Sequence, residues 1–220
     1  MSRPPRTGRA FLAAALVALG AAAVVGVVWL VTEARGISFR TVAADPVVAA
    51  DGPAHAGVFS NMGVLVWWTG ATAAALLGPL LWREGDTGAG RAVLALGAVT
   101  VVLAVDDLFL LHEQFGPNVL GIAQDTILAG YALGVVVVLV ALRRFVTTSA
   151  WPILALSLAA FTVSVVSDVL AEEETTLHSV IEDGAKFVGI AAWTVFIVHA
   201  GWSRLRPVRT PGAAPSGRAL

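Results

Sequence analysis

Read by hydrophobicity alone, the chain is a series of long apolar runs broken by short polar stretches. Six runs predict helices at about 11–31, 59–82, 92–112, 122–142, 151–171 and 179–202. Each is close to the ~20 residues that a helix needs to cross a hydrocarbon core. The breaks carry turn-forming residues: EGDTGAG at 84–90, FGPNVLG at 115–121 and the polar AEEETTLHS at 171–179. The predicted fold is therefore all-α, a polytopic six-helix membrane bundle over residues 11–206. A short arm (1–10) precedes it, and a tail rich in Pro, Gly, Ala and Arg (207–220) is expected to be disordered. No internal repeat and no soluble domain is read from the sequence.

Composition agrees with that reading. The chain is 57% hydrophobic and 13% charged, where a soluble domain carries about 25% charged residues. The net charge of −1 gives no footprint for nucleic acid, so the expected partner is the lipid bilayer. The absence of cysteine excludes disulfides, iron–sulfur clusters and thiolate metal sites. The first apolar run follows three arginines and resembles a signal sequence in composition. It is longer than the ~7–15 residues of a signal core, and Trp29 stands near its far end as an interfacial anchor would, which predicts an uncleaved helix.

Arginine sets the expected orientation. Arg3, Arg6, Arg9, Arg83, Arg91, Arg143, Arg144, Arg204, Arg206, Arg209 and Arg218 fall on one side of six threaded helices, and only Arg35 and Arg40 on the other. By the positive-inside rule both termini are cytoplasmic, in a plasma membrane of the bacterial inner-membrane type.

The acids lie opposite. Asp106, Asp107, His112 and Glu113 end the third span, in VDDLFLLHEQF (105–115). Gln124 and Asp125 begin the fourth, and Asp168 lies near the outer end of the fifth, followed by Glu172, Glu173 and Glu174. His178, Glu182, Asp183 and Lys186 begin the sixth, and Lys186 is the only lysine in the chain. Helical spacing puts Asp106 and Glu113 on one face, with His112 about 120° away. It aligns Ser157, Ser164 and Asp168 on span five, and His178, Glu182, Lys186, Gly189 and Trp193 on span six. Asp106 and Lys186 both lie roughly 10 Å inside the outer boundary, at a depth where they can meet.

The helix dipole ranks these acids. Asp125 and Glu182 stand at helix starts, where carboxylates are favoured, and Ser179-Val-Ile-Glu182 reads as a capping box. Asp106, Glu113 and Asp168 stand at helix exits and need a cation. Charge in lipid costs at least ~2.5 kcal/mol per group, so these groups are expected to face one another.

Three functions follow from such a pocket. Asp106, His112, Glu113, Asp168, His178 and Glu182 supply the ligand types of a divalent iron, manganese or zinc site, which would act on a lipid-phase or redox substrate. The Glu-x-x-His pairs of di-metal bundles are missing. Alternatively, Lys186 with Glu182 and Asp106 forms a proton- or cation-coupled carrier. The third reading is a non-catalytic accessory or sensor subunit, held by a structural salt-bridge network and responding to pH through His112 and His178. Asp107, Asp125 and Asp183 take secondary places in each. No nucleophile–base motif and no nucleotide loop appears, and the residues assign no family. Gly63, Gly70 and Gly78 in span two predict close helix packing. Trp67, Trp68, Trp82, Trp151 and Trp202 are read as interfacial or packing residues, and Asn61, His55 and His199 as minor candidates.

Overall fold

The structure is a computed structural model and describes residues 19, 23, 25–27, 29–37, 50–53, 55–170 and 176–205. The N-terminal arm, most of the first predicted span, the acidic loop Glu172–Glu174 and the C-terminal tail lie outside the described residues. So do Arg3, Arg6, Arg9, Arg40, Arg206, Arg209 and Arg218. The chain divides into two units, residues 1–56 and 57–220. In the first, residues 29–34 are helical and Thr32 donates to the Trp29 carbonyl at 2.9 Å.

The second unit is all-helical, and no strand occurs among the described residues. Its long helices are α1 (Val58–Arg83), α2 (Thr87–Phe109), α3 (Gln124–Ala141), α5 (Trp151–Leu170) and α6 (Thr176–Trp202). A short α4 (Arg143–Thr147) links α3 to α5, and a π-helical segment, Leu111–Leu120, links α2 to α3. All five long helices are long and apolar enough to cross a membrane. The first span of the sequence reading, 11–31, falls largely on residues that are not described.

The core forms where α1 packs on α2 and α6, and α6 on α5. Glycine makes this approach close. A Cβ at Gly70 would lie 2.8 Å from Thr194 Oγ1, and one at Gly78 would lie 2.5 Å from Leu94 Cγ. Between these backbones Leu81, Leu96, Phe196 and Ile197 are fully buried. Backbone proximity of this kind is how helices gain dispersion energy where lipid offers no hydrophobic contrast. Asp86 starts α2 as a normal N-cap, its Oδ1 accepting from the Ala89 N–H at 2.9 Å.

Helix α3 differs. It buries none of its residues and packs mainly on the π segment and the end of α2, with no extensive contact to α5 or α6. Arg83, Arg91, Arg143, Arg144 and Arg204 gather at one end of the bundle, where Arg204 donates to Thr148 Oγ1 at 2.8 Å and lies 4.6 Å from the Phe145 ring centre. The acids of α2, α3, α5 and α6 gather at the other.

Candidate functional site

The acid-bearing end is organised by a break in α2. Uninterrupted helical spacing would carry α2 through His112. Instead Leu110 adopts a left-handed backbone (φ 51°, ψ 45°), and its N–H closes α2 on the Asp106 carbonyl. A left-handed non-glycine residue costs about 1 kcal/mol. The break turns His112 back onto Asp106 instead of 120° away from it. The Asp106 side chain then accepts the backbone N–H of His112 at 3.0 Å. An acid disfavoured at the exit of α2 thereby caps the start of the next helical segment, where a carboxylate is favoured.

Asp106 is 3% exposed and has three donors. Besides the backbone N–H, it takes a hydrogen bond from His112 Nδ1 and one from the Tyr131 hydroxyl at 2.8 Å. His112 is also buried, and its Nε2 lies 3.4 Å from Glu113 Oε1. The result is a continuous polar run, Tyr131–Asp106–His112–Glu113, ending at a carboxylate whose side chain is 41% exposed. Both His112 and Glu113 lie beyond the membrane-spanning part of α2, which ends at Phe109. Burial alone would lower the His112 pKa. The hydrogen bond to Asp106, the interaction with Glu113 and the charge of both acids outweigh it and raise the imidazole from 6.5 to about 9. His112 in turn holds the Glu113 carboxyl below its usual value against the effect of burial, with help from the Lys186 charge.

A second group sits beside the first. Lys186 Nζ lies 2.8 Å from Asp107 Oδ1, so the lysine pairs with Asp107 and not with Asp106 as its depth had suggested. The break at Leu110 accounts for this, because it gives Asp106 its own partners. Trp67 Nε1 donates to the other Asp107 oxygen at 2.8 Å. Trp67 is 2% exposed, which removes it from the aromatic belt. Across the mouth Gln124 donates to Asp168 at 3.3 Å, and His178 lies 3.2 Å from Glu182 and 3.3 Å from Ser167 Oγ.

These groups surround one cavity of about 1150 Å³, bounded by α2, the π segment, α3, α5 and α6. Asp125 and Asp183 also line it. Its deeper wall is apolar, with Leu103, Leu128, Val135, Leu158, Phe161 and Val165. Beneath it the bundle is closed by Trp193, whose Nε1 donates to Thr100 Oγ1 at 2.9 Å. Ser157 bonds the Gly189 carbonyl at 2.8 Å and holds α5 to α6.

Several expectations change. Helix α6 begins at Thr176, so Ser179-Val-Ile-Glu182 is not its capping box and Glu182 is not in its first turn. Asp125 does stand in the first turn of α3. The six residues named as metal ligands fall into three separate places: the run Asp106–His112–Glu113, the pair His178–Glu182, and Asp168 with Gln124. Among the described residues no group of three or more His, Cys, Asp or Glu is arranged to hold a metal ion. Asn61, His55 and His199 are exposed and do not line the cavity.

Tyr131, Trp67 and Gln124 carry hydrogen bonds that the sequence reading did not assign. Gly63, Trp67, Gly70 and Ala74 recur at helical spacing and are buried together, a signal that Trp67 faces protein. Gln124, Leu128, Tyr131 and Val135 likewise share one face of α3.

The chain belongs to a family described as Domain of unknown function (DUF8692), whose model matches residues 9–200. No curated protein and no solved structure matches it.

Proposed function

We propose that this member of the family is a proton-coupled membrane protein of the carrier type, in which Glu113, His112, Asp106 and Tyr131 pass protons between water and the cavity. The observation that carries this reading is the unbroken polar run from an exposed carboxylate to a hydroxyl on the cavity wall. With its raised pKa, His112 rests as an imidazolium, giving Nδ1–H to Asp106 and facing Glu113 through Nε2. Moving the Nδ1 proton to Asp106 leaves a neutral imidazole and a neutral carboxyl beside Tyr131. That carboxyl can then protonate a basic group in the cavity. Glu113 collects a replacement proton from water, and the imidazole takes it up after turning its ring. Lys186 and Asp107 stay paired and supply a fixed dipole next to the relay.

The arginine-bearing end would face the cytoplasm, as the positive-inside rule requires. A divalent metal at the same mouth has less support, because the two nitrogens of His112 already face Asp106 and Glu113.

The test is infrared difference spectroscopy on the reconstituted protein during a pH titration. The expected result is an imidazole transition near pH 9, lost in His112→Gln and moved down toward the ordinary histidine range in Asp106→Asn. A wild-type spectrum without an imidazole transition near pH 9 would reject the relay.

A further inference from the structure

We infer that the cavity is a binding site for a long-chain amphiphile with an amine head, entering from the bilayer beside α3. The cavity has two zones. Leu128, Val135, Leu158 and Val165 give it an apolar wall at membrane depth, and the carboxylates and bases lie toward its mouth. A volume of about 1150 Å³ lies just above the ~300–1,000 Å³ typical of small-molecule sites, large enough for a chain as well as a head. A water-soluble metabolite would leave the apolar wall unmatched, and a plain hydrocarbon would leave the mouth unmatched. An amphiphile matches both.

The charge at the mouth selects the head. Lys186 is committed to Asp107, and His112 to Asp106 and Glu113. Asp125, Asp168, Glu182 and Asp183 line the same mouth, answered by Gln124 at Asp168 and His178 at Glu182. Carboxylates thus outnumber the bases around one opening. A head that brings a positive charge and N–H donors completes this set, whereas an anionic head would add to the repulsion.

The entry path follows from how α3 is held. It buries no residue and makes no extensive contact with α5 or α6, so a chain can pass between them without disturbing the core of α1, α2, α5 and α6. The inference extends the proposed relay, since an amine is also the basic group that Asp106 would serve, but its binding step can be measured without any proton movement.

Native mass spectrometry of the full chain released from detergent provides the test, with a long-chain alkylamine as probe and the alcohol and carboxylic acid of equal length as comparators. One bound amine per chain is expected, with the acid at least ~10-fold weaker, about 1.4 kcal/mol. Asp168→Asn with Glu182→Gln should remove the preference for amine over alcohol. Ala132→Phe fills the wall from α3 at an exposed position of a helix that buries none of its own residues, and should abolish binding without lowering thermal stability. Equal binding of amine and acid, or amine binding that survives Ala132→Phe, would overturn the proposal. Loss of amine binding in a protein whose imidazole still titrates near pH 9 would reject the ligand and leave the relay standing.

Discussion

The two ends of the same helices obey different rules. At the arginine-bearing end, α1 and α2 meet closely over Gly78 and Gly90, α6 brings Gly201 against Leu77, and Leu81, Val93, Leu96 and Ile197 are sealed among them. At the acid-bearing end the helices part, α2 breaks at Leu110, and the space between them is lined by ion pairs and apolar wall. The first end is held by shape. The second is held by a few polar contacts, of which the Asp106–His112 pair is the most deeply buried. No buried side-chain nitrogen or oxygen among the described residues lacks a partner, so the buried polar atoms of the open end are matched, while its excess of carboxylates lies at the exposed mouth.

That contrast can be broken most severely at Asp107. Asp107→Ala leaves Lys186 without its counter-ion and Trp67 Nε1 without its acceptor. The expected loss is about 3 kcal/mol, at the low end for a broken buried pair because the lysine side chain is still 31% exposed. Thermal unfolding in detergent measures it, and an unchanged midpoint would mean that the polar end does not hold the fold. Next comes Gly78→Val, which forces a side chain into Leu94. Overpacking of this kind costs about 1–3 kcal/mol, read by the same assay, and it should leave His112 titrating as before.

The pH dependence sharpens the comparison further. His112 binds its proton more tightly folded than unfolded, so its contribution is fully present below 6.5 and is lost as pH rises through about 9. Glu113 is shifted the other way. Its contribution is present above 4.5 and is lost as pH falls. Thermal stability should therefore fall off on both the acid and alkaline sides, and His112→Gln should flatten the alkaline limb. A wild-type protein whose stability is level through that alkaline window would contradict the assignment. The smallest effect is expected at Val137, which is 58% exposed on α3. Val137→Ala should change stability by no more than about 0.5 kcal/mol, and a larger loss would show that α3 is held more firmly than its packing indicates.

Hydropathy found the five described spans to within a few residues, for instance 59–82 against Val58–Arg83 and 151–171 against Trp151–Leu170. Long apolar runs leave little choice of structure in lipid. The break in α2 was not legible, because Phe109, Leu110 and Leu111 continue the apolar pattern and the nearest glycine is Gly116. That glycine serves the next contact, since a Cβ there would meet Ile127 Cδ1 of α3 at 2.1 Å. Clustering of acids at one end could be read from charge alone. Their pairing could not, because it turns on a single left-handed residue. The choice of Asp107 rather than Asp106 for Lys186 amounts to 100° of rotation about one helix.

The loose seating of α3 has one more implication, for the membrane itself. With 18 residues the helix is about 27 Å long, slightly short of a ~30 Å hydrocarbon layer. Held by fewer contacts than its neighbours, it follows the thickness of the surrounding bilayer more readily than they do, by tilting or by drawing the lipid in around it.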